Sequence, residues 1–170
     1  GDAGLLDEVL QCFAHTDGRV RRAAVRAAWK LGGPASEQAL LKLLPATDAE
    51  TQMEVLFALG QISSVGCIPT LAAFLQDRRF PDRLRHKAIE VLGQIGHPAG
   101  VGPLAELLKR KGFAIFSSPV EAQDIRLSAA RALTAMEHPE ALAALRRAVE
   151  AEPRGPDRIA LELILNAGKR

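Results

Sequence analysis

Residues 55–63 read VLFALGQIS, and residues 88–96, thirty-three positions on, read AIEVLGQIG. In each, four apolar side chains fall at i, i+3, i+4 and i+7, which is one face of an α-helix: Val55, Ala58, Leu59 and Ile62, then Ala88, Val91, Leu92 and Ile95. The same face recurs at Ala24-Ala27-Ala28-Leu31, at Ala129-Ala132-Leu133-Met136 and, more weakly, at Ala160-Leu163-Ile164-Ala167. A second set precedes each of these. Leu6, Val9, Cys12 and Phe13 recur as Glu37, Leu40, Leu43 and Leu44, as Ile68, Leu71, Phe74 and Leu75, as Val101, Leu104, Leu107 and Leu108, and as Leu142, Leu145, Ala148 and Val149. The chain therefore repeats one supersecondary unit, helix A then helix B, five times. The units are residues 2–33, 34–64, 65–97, 98–138 and 139–170.

The joints carry the variation. From the last B anchor to the next A anchor is six residues every time, as from Leu31 to Glu37 or from Ile95 to Val101. From the last A anchor to Arg21 and its equivalents Gln52, Arg85, Arg126 and Asp157 is 8, 8, 10, 18 and 8 residues, so the length change sits in the A-to-B turns. Gly32-Gly33-Pro34, Gly96-His97-Pro98 and His138-Pro139 end B helices, since Gly accepts a left-handed cap and Pro cannot continue a helix. Asp17, Asp48 and Asp82 stand where a carboxylate can accept the first N–H groups of a B helix.

The string Asp17-Gly-Arg-Val20-Arg21-Arg-Ala-Ala24 with ALGQIS and VLGQIG resembles the opening and close of a HEAT-like repeat. It is the short bacterial and archaeal kind found in bilin lyase subunits. The resemblance covers essentially the whole chain. It implies an all-α fold, a right-handed α-solenoid of about five HEAT-like helix pairs, with A helices convex and B helices lining the concave side. No such pair buries its apolar stripe alone, and stacking completes the core.

Composition bounds the function. The 170 residues are 48% apolar but only 4% aromatic, and 22 basic residues face 20 acidic ones for a net charge of +2. Bulk charge therefore does not argue for nucleic acid or a membrane, and in the second unit Glu37, Asp48, Glu50 and Glu54 interrupt any basic track. No apolar run reaches the ~18 residues of a membrane span. Cys12 and Cys67 match no metal or redox motif and read as free thiols. An Arg-rich, Lys-poor composition fits a GC-rich bacterium, and free thiols without a secretion signal fit a reducing, cytoplasmic compartment. The first residue is Gly1, and the last helix, Ile159-Ala-Leu161-Glu-Leu163-Ile164-Leu165, is apolar nearly all round. Both suggest a module of a longer chain.

No chemical constellation stands out. Some HEAT-like enzymes are iron hydroxylases carrying repeated His-Glu pairs. Here His15, His86, His97 and His138 are followed by Thr16, Lys87, Pro98 and Pro139. Neither a catalytic triad nor a phosphate-binding loop is present, and Gly93-Gln-Ile-Gly96 is helix-end punctuation. The expectation is no catalytic residue, no metal and no cofactor.

What remains is surface. At ~100° per residue the B-helix side opposite the core holds Arg22, Arg26, Met53, Phe57, His86, Glu90 and Arg131. A basic strip beside apolar side chains suits a protein or peptide partner. Phe113 and Phe116 join this set from the long fourth turn, residues 109–123, either as a flap over units three and four or as a docking loop. Arg21, Arg85 and Arg126, with Asp17 and Asp48, are read as inter-repeat bonds, because a half-buried guanidinium needs a partner. The reading is a non-catalytic protein-interaction scaffold, not an enzyme. Its alternatives are a lyase-like or other enzyme subunit of the HEAT-like class, and a nucleic-acid module.

Overall fold

The computed structural model describes residues 2–77, 79–109 and 119–168. Among them are ten α-helices and no strand. In A–B order they are α1 (Asp2–Gln11) and α2 (Gly18–Leu31), α3 (Gly33–Leu43) and α4 (Ala49–Ile62), α5 (Ile68–Gln76) and α6 (Asp82–Ile95), α7 (Val101–Leu108) and α8 (Pro119–Ala135), and α9 (Pro139–Ala151) and α10 (Pro156–Ala167). The chain divides into two compact units, Gly1–Thr70 and Leu71–Arg170. In the first, α2 packs on α4, each B helix on its own A helix, and α2 also on α3. In the second, α6 packs on α8, α8 on α10 and α7 on α9, so B stacks on B and A on A.

The B helices are buried over a wider arc than the four-residue stripe implies. Val25, Leu56, Ile89 and Ala130, each one position after the first anchor of its set, are all at most 1% exposed. Within each unit a B helix is covered by a neighbouring B helix as well as by A helices, as α2 is by α4 and α1, and α8 by α6 and α7. A fully buried Leu or Ile at this position contributes ~1.5–3 kcal/mol. The stripe also runs out early, for Leu31 is 37% exposed.

The caps repeat more faithfully than their residue types. Immediately after the last B anchor, φ is positive at Gly32, Ser63, Gly96 and Glu137. Only two of these are glycine, so the left-handed turn is imposed by the joint and merely eased by Gly where it occurs. Asp17 and Asp48 cap α2 and α4 through their carboxylates. Asp82 does not cap: it is the first residue of α6, after Pro81.

The fifth pair departs from the stripe. Leu161 and Leu165 of α10 are buried, while Leu163 is 66% and Ile159 58% exposed. The buried face lies on Arg158, Leu161 and Leu165 rather than on Asp157, Ala160, Leu163 and Ile164. The A-to-B turn is one residue longer than equal spacing assumes, and that single residue rotates the helix by ~100°.

Candidate functional site

One position recurs in all five pairs and explains how each turn is held. It is an inward polar side chain of the B helix, and it donates to a carbonyl at or just beyond the end of its own A helix. Arg21 Nη1 reaches the carbonyls of His15 (2.6 Å) and Thr16 (2.9 Å). Gln52 Nε2 reaches Leu44 (2.9 Å), Arg85 Nη2 reaches Asp77 (2.9 Å), Arg126 Nε reaches Leu108 (3.1 Å) and Arg158 Nη1 reaches Glu152 (3.3 Å). These bonds satisfy orphan carbonyls at helix C-termini. Gln52 thus performs the closing role without a charge, and Arg158, not Asp157, is the fifth member.

The arginines differ in what else they reach. Arg21 Nη2 lies 2.5 Å from Asp48 Oδ2, joining the first pair to the second. Arg126 bonds Glu152 (2.6 Å) and Asp157 (3.3 Å) of the fifth pair. Arg85 instead holds Asp82 of its own helix at 2.9 Å. Asp17 is local too: it caps α2 and pairs with Arg19 at 2.9 Å.

Asp48 gathers the most donors. Desolvation would raise its carboxyl, but hydrogen bonds from the Thr51 hydroxyl (2.7 Å), Arg21 and the Thr51 N–H (3.0 Å) outweigh it and hold the group well below the usual carboxylate range. A depressed folded-state pKa stabilises the fold fully above the unfolded value of ~3.9, and that contribution is lost as pH falls toward the folded value. Asp48→Asn keeps a capping oxygen and removes the charge. It is expected to cost ~1 kcal/mol or less at neutral pH, because the pair is partly exposed and screened. Urea midpoints of the two proteins, measured at pH 7 and pH 3, should converge at the lower pH.

All four histidines are committed to structure. His15 Nδ1 accepts the N–H of Asp17 (3.0 Å), His97 Nδ1 that of Ala99 (3.2 Å), and His138 Nδ1 that of Glu140 (3.2 Å). Each is the unprotonated ring nitrogen acting as a helix- or turn-capping acceptor. His86 Nδ1 lies 2.8 Å from Ser128 Oγ, tying α6 to α8. Among the described residues no three His, Cys, Asp or Glu side chains converge as a metal ion requires. The donor set therefore does not fit the iron of HEAT-like hydroxylases, and no step through a metal is derived. Cys67 is also withdrawn from chemistry: burial, with the Glu37 carboxylate 3.5 Å away, pushes its thiol up to about 12.

The B-helix face holds the other sequence-predicted residues. In the first unit, Arg26 bridges to Glu54 at 3.2 Å, Arg22 and Met53 are half-buried, and Phe57 is 42% exposed. In the second, Glu90 accepts from Lys87 (2.7 Å) and Gln94 (3.1 Å), and Arg131 is exposed. Phe113 and Phe116, and most of the long turn with them, lie outside the described residues. On the A side a groove of about 690 Å³ runs between α7 and α9, lined by Gly102, Ala105, Ala144 and Ala148. Its acids Glu106 and Glu152 are both engaged, by Lys109 and Arg126. Among the described residues no helix is long and apolar enough to cross a membrane.

Known proteins give this arrangement a context. A family model for HEAT repeats matches residues 37–116, and one for the PBS lyase HEAT-like repeat matches residues 125–151. Deoxyhypusine hydroxylase from Gallus gallus is 38% identical over 68 residues, 40% of this chain and 23% of that protein. The Rattus norvegicus enzyme is 36% identical over 76 residues, 45% of this chain and 25% of that protein. The chain thus spans about a quarter of the length of the curated relatives it matches. The solved structure of human deoxyhypusine hydroxylase in complex with glycerol superposes with a TM-score of 0.60 at 17% identity, covering 99% of this chain and 97% of that one. At that identity it speaks for the fold.

These relatives overturn the expectation of a non-catalytic scaffold: the proteins whose sequences this chain resembles are named for an enzyme. Composition and motif spacing could not reveal this, because the repeat that carries the similarity is structural. The all-α architecture, the recurrent A–B pairs and both repeat models agree, and the chain is a HEAT-like repeat protein.

Proposed function

We propose that this array is part of an enzyme of the HEAT-like class, and that it holds a protein substrate while groups outside its own histidines carry out the chemistry. The observation supporting the reading is the 35–38% identity to deoxyhypusine hydroxylases. The commitment of all four histidines to caps and to Ser128 argues that the reacting groups lie elsewhere in the working enzyme. The test is deletion of the coding gene in the source organism, followed by mass spectrometry of the proteome. The expected result is one protein losing a side-chain modification of one oxygen atom, restored by the full-length gene. A proteome with no modification altered would sink the reading.

A second reading, a lyase subunit, draws on the match of residues 125–151 to the PBS lyase repeat. It predicts a light-absorbing ligand retained after co-expression with candidate partners, which the first reading does not.

A further inference from the structure

Helix α2 carries Arg19, Arg21, Arg22, Arg26 and Lys30 and no acid. Three of these are spoken for, by Asp17, Asp48 and Glu54. Arg22 acts on the Asp17 carboxylate through space without closing an ion pair, and Lys30, exposed, makes none among the described residues. Arg22, Arg26 and Lys30 stand at i, i+4 and i+8, a row ~12 Å long on one side of the helix. The Arg26–Glu54 bridge shows which side of α4 runs alongside: the one bearing Met53 and the exposed Phe57. A row of cations, of which among the described residues only Arg26 is held in an ion pair, therefore lies beside an apolar row within one compact unit. The acids that could neutralise it from α4 are Glu50 and Glu54, and Glu54 is already used by Arg26.

We infer that this α2–α4 face docks an acidic segment of the protein substrate, with carboxylates on Arg22 and Lys30 and an apolar side chain against Phe57. This rests on the enzyme reading for the word substrate, while the docking itself stands on charge complementarity. Long-range attraction to such a strip accelerates encounter and fades as salt shortens the Debye length. The apolar contact beside it sets the residence time.

The test is fluorescence anisotropy of the purified chain with a labelled helical peptide carrying Glu at i, i+4 and i+8 and Leu on the adjoining stripe. The control is the same peptide with Lys in place of Glu. The expected result is binding of the acidic peptide alone. It should weaken tenfold or more in Arg22→Glu/Lys30→Glu and by a similar factor in Phe57→Ala, with helicity unchanged by circular dichroism. Lys42→Glu, away from the face, should bind normally. Equal binding of both peptides, undiminished binding by the double variant, or binding only of a phosphate polymer such as single-stranded RNA would overturn the inference. The two proposals fail separately. A lost modification on gene deletion without peptide binding leaves the enzyme reading standing, and peptide binding without a lost modification leaves only the docking face.

Discussion

Arg126→Ala is expected to lower stability by ~3–5 kcal/mol, because it removes one half of a buried ion pair. Arg126 is 3% exposed and Glu152 6% exposed, and the guanidinium meets Glu152, Asp157 and the Leu108 carbonyl together. Removing it leaves the Glu152 carboxylate buried without its cation and reopens the C-terminus of α7. For a chain of this size the loss corresponds to a fall in melting temperature of ~10 °C or more. The sign of the pair's own contribution is separable. Arg126→Met with Glu152→Leu removes both charges and is expected to recover most of the stability, since apolar replacements of a buried pair are often neutral. Arg21→Ala should cost far less, because Arg21 and Asp48 are 20% and 39% exposed. Thermal melts of the four proteins decide it; equal losses for Arg21→Ala and Arg126→Ala would contradict the burial argument.

Gly93→Leu should cost ~3 kcal/mol by forcing α6 away from α8. A Cβ at Gly93 would lie 3.0 Å from the Cβ of Ala132, 3.1 Å from its Cα and 3.3 Å from its carbonyl oxygen. Two of those three atoms are backbone, so no rotamer change relieves the contact. Gly93 is buried in the last turn of α6, where glycine costs up to ~1 kcal/mol in propensity relative to alanine. That cost is offset here by the close approach of two B helices. Opening the contact also strains the His86–Ser128 bond between the same helices. Denaturation midpoints test it, and a leucine variant as stable as the wild type would show that the helices can separate freely.

The helix pairs were legible because the repeat shows the same apolar face five times and no other element type competes for those positions. Its length variation also pointed to the A-to-B turns. Burial was only partly readable. Val25 and its equivalents are buried beside the stripe, and the helix-on-helix packing that buries them within each unit is not part of a stripe drawn on an isolated helix. The fifth pair was misaligned by one residue because Asp157 and Arg158 both suit the start of a helix, and only the bond from Arg158 to the Glu152 carbonyl distinguishes them. Gln52 looked like a break in the arginine series, yet it makes the same closing bond. The histidine caps did leave a signal. His15, His97 and His138 each stand two residues before the N–H they accept, the offset that Asp and Ser use in capping turns. The enzyme connection left none in this chain's own chemistry.

On the function proposed above, the array serves an enzyme without lending its histidines to the reaction. The most direct test of that function is complementation of the gene deletion by the full-length protein with His15, His86, His97 and His138 all replaced by asparagine. Asparagine can accept the same capping N–H bonds and can still reach Ser128, so the fold should survive with a melting temperature close to that of the wild type. Mass spectrometry is expected to find the lost modification restored to its full extent. A protein that melts normally yet leaves its substrate unmodified would place a histidine in the chemistry and contradict that function.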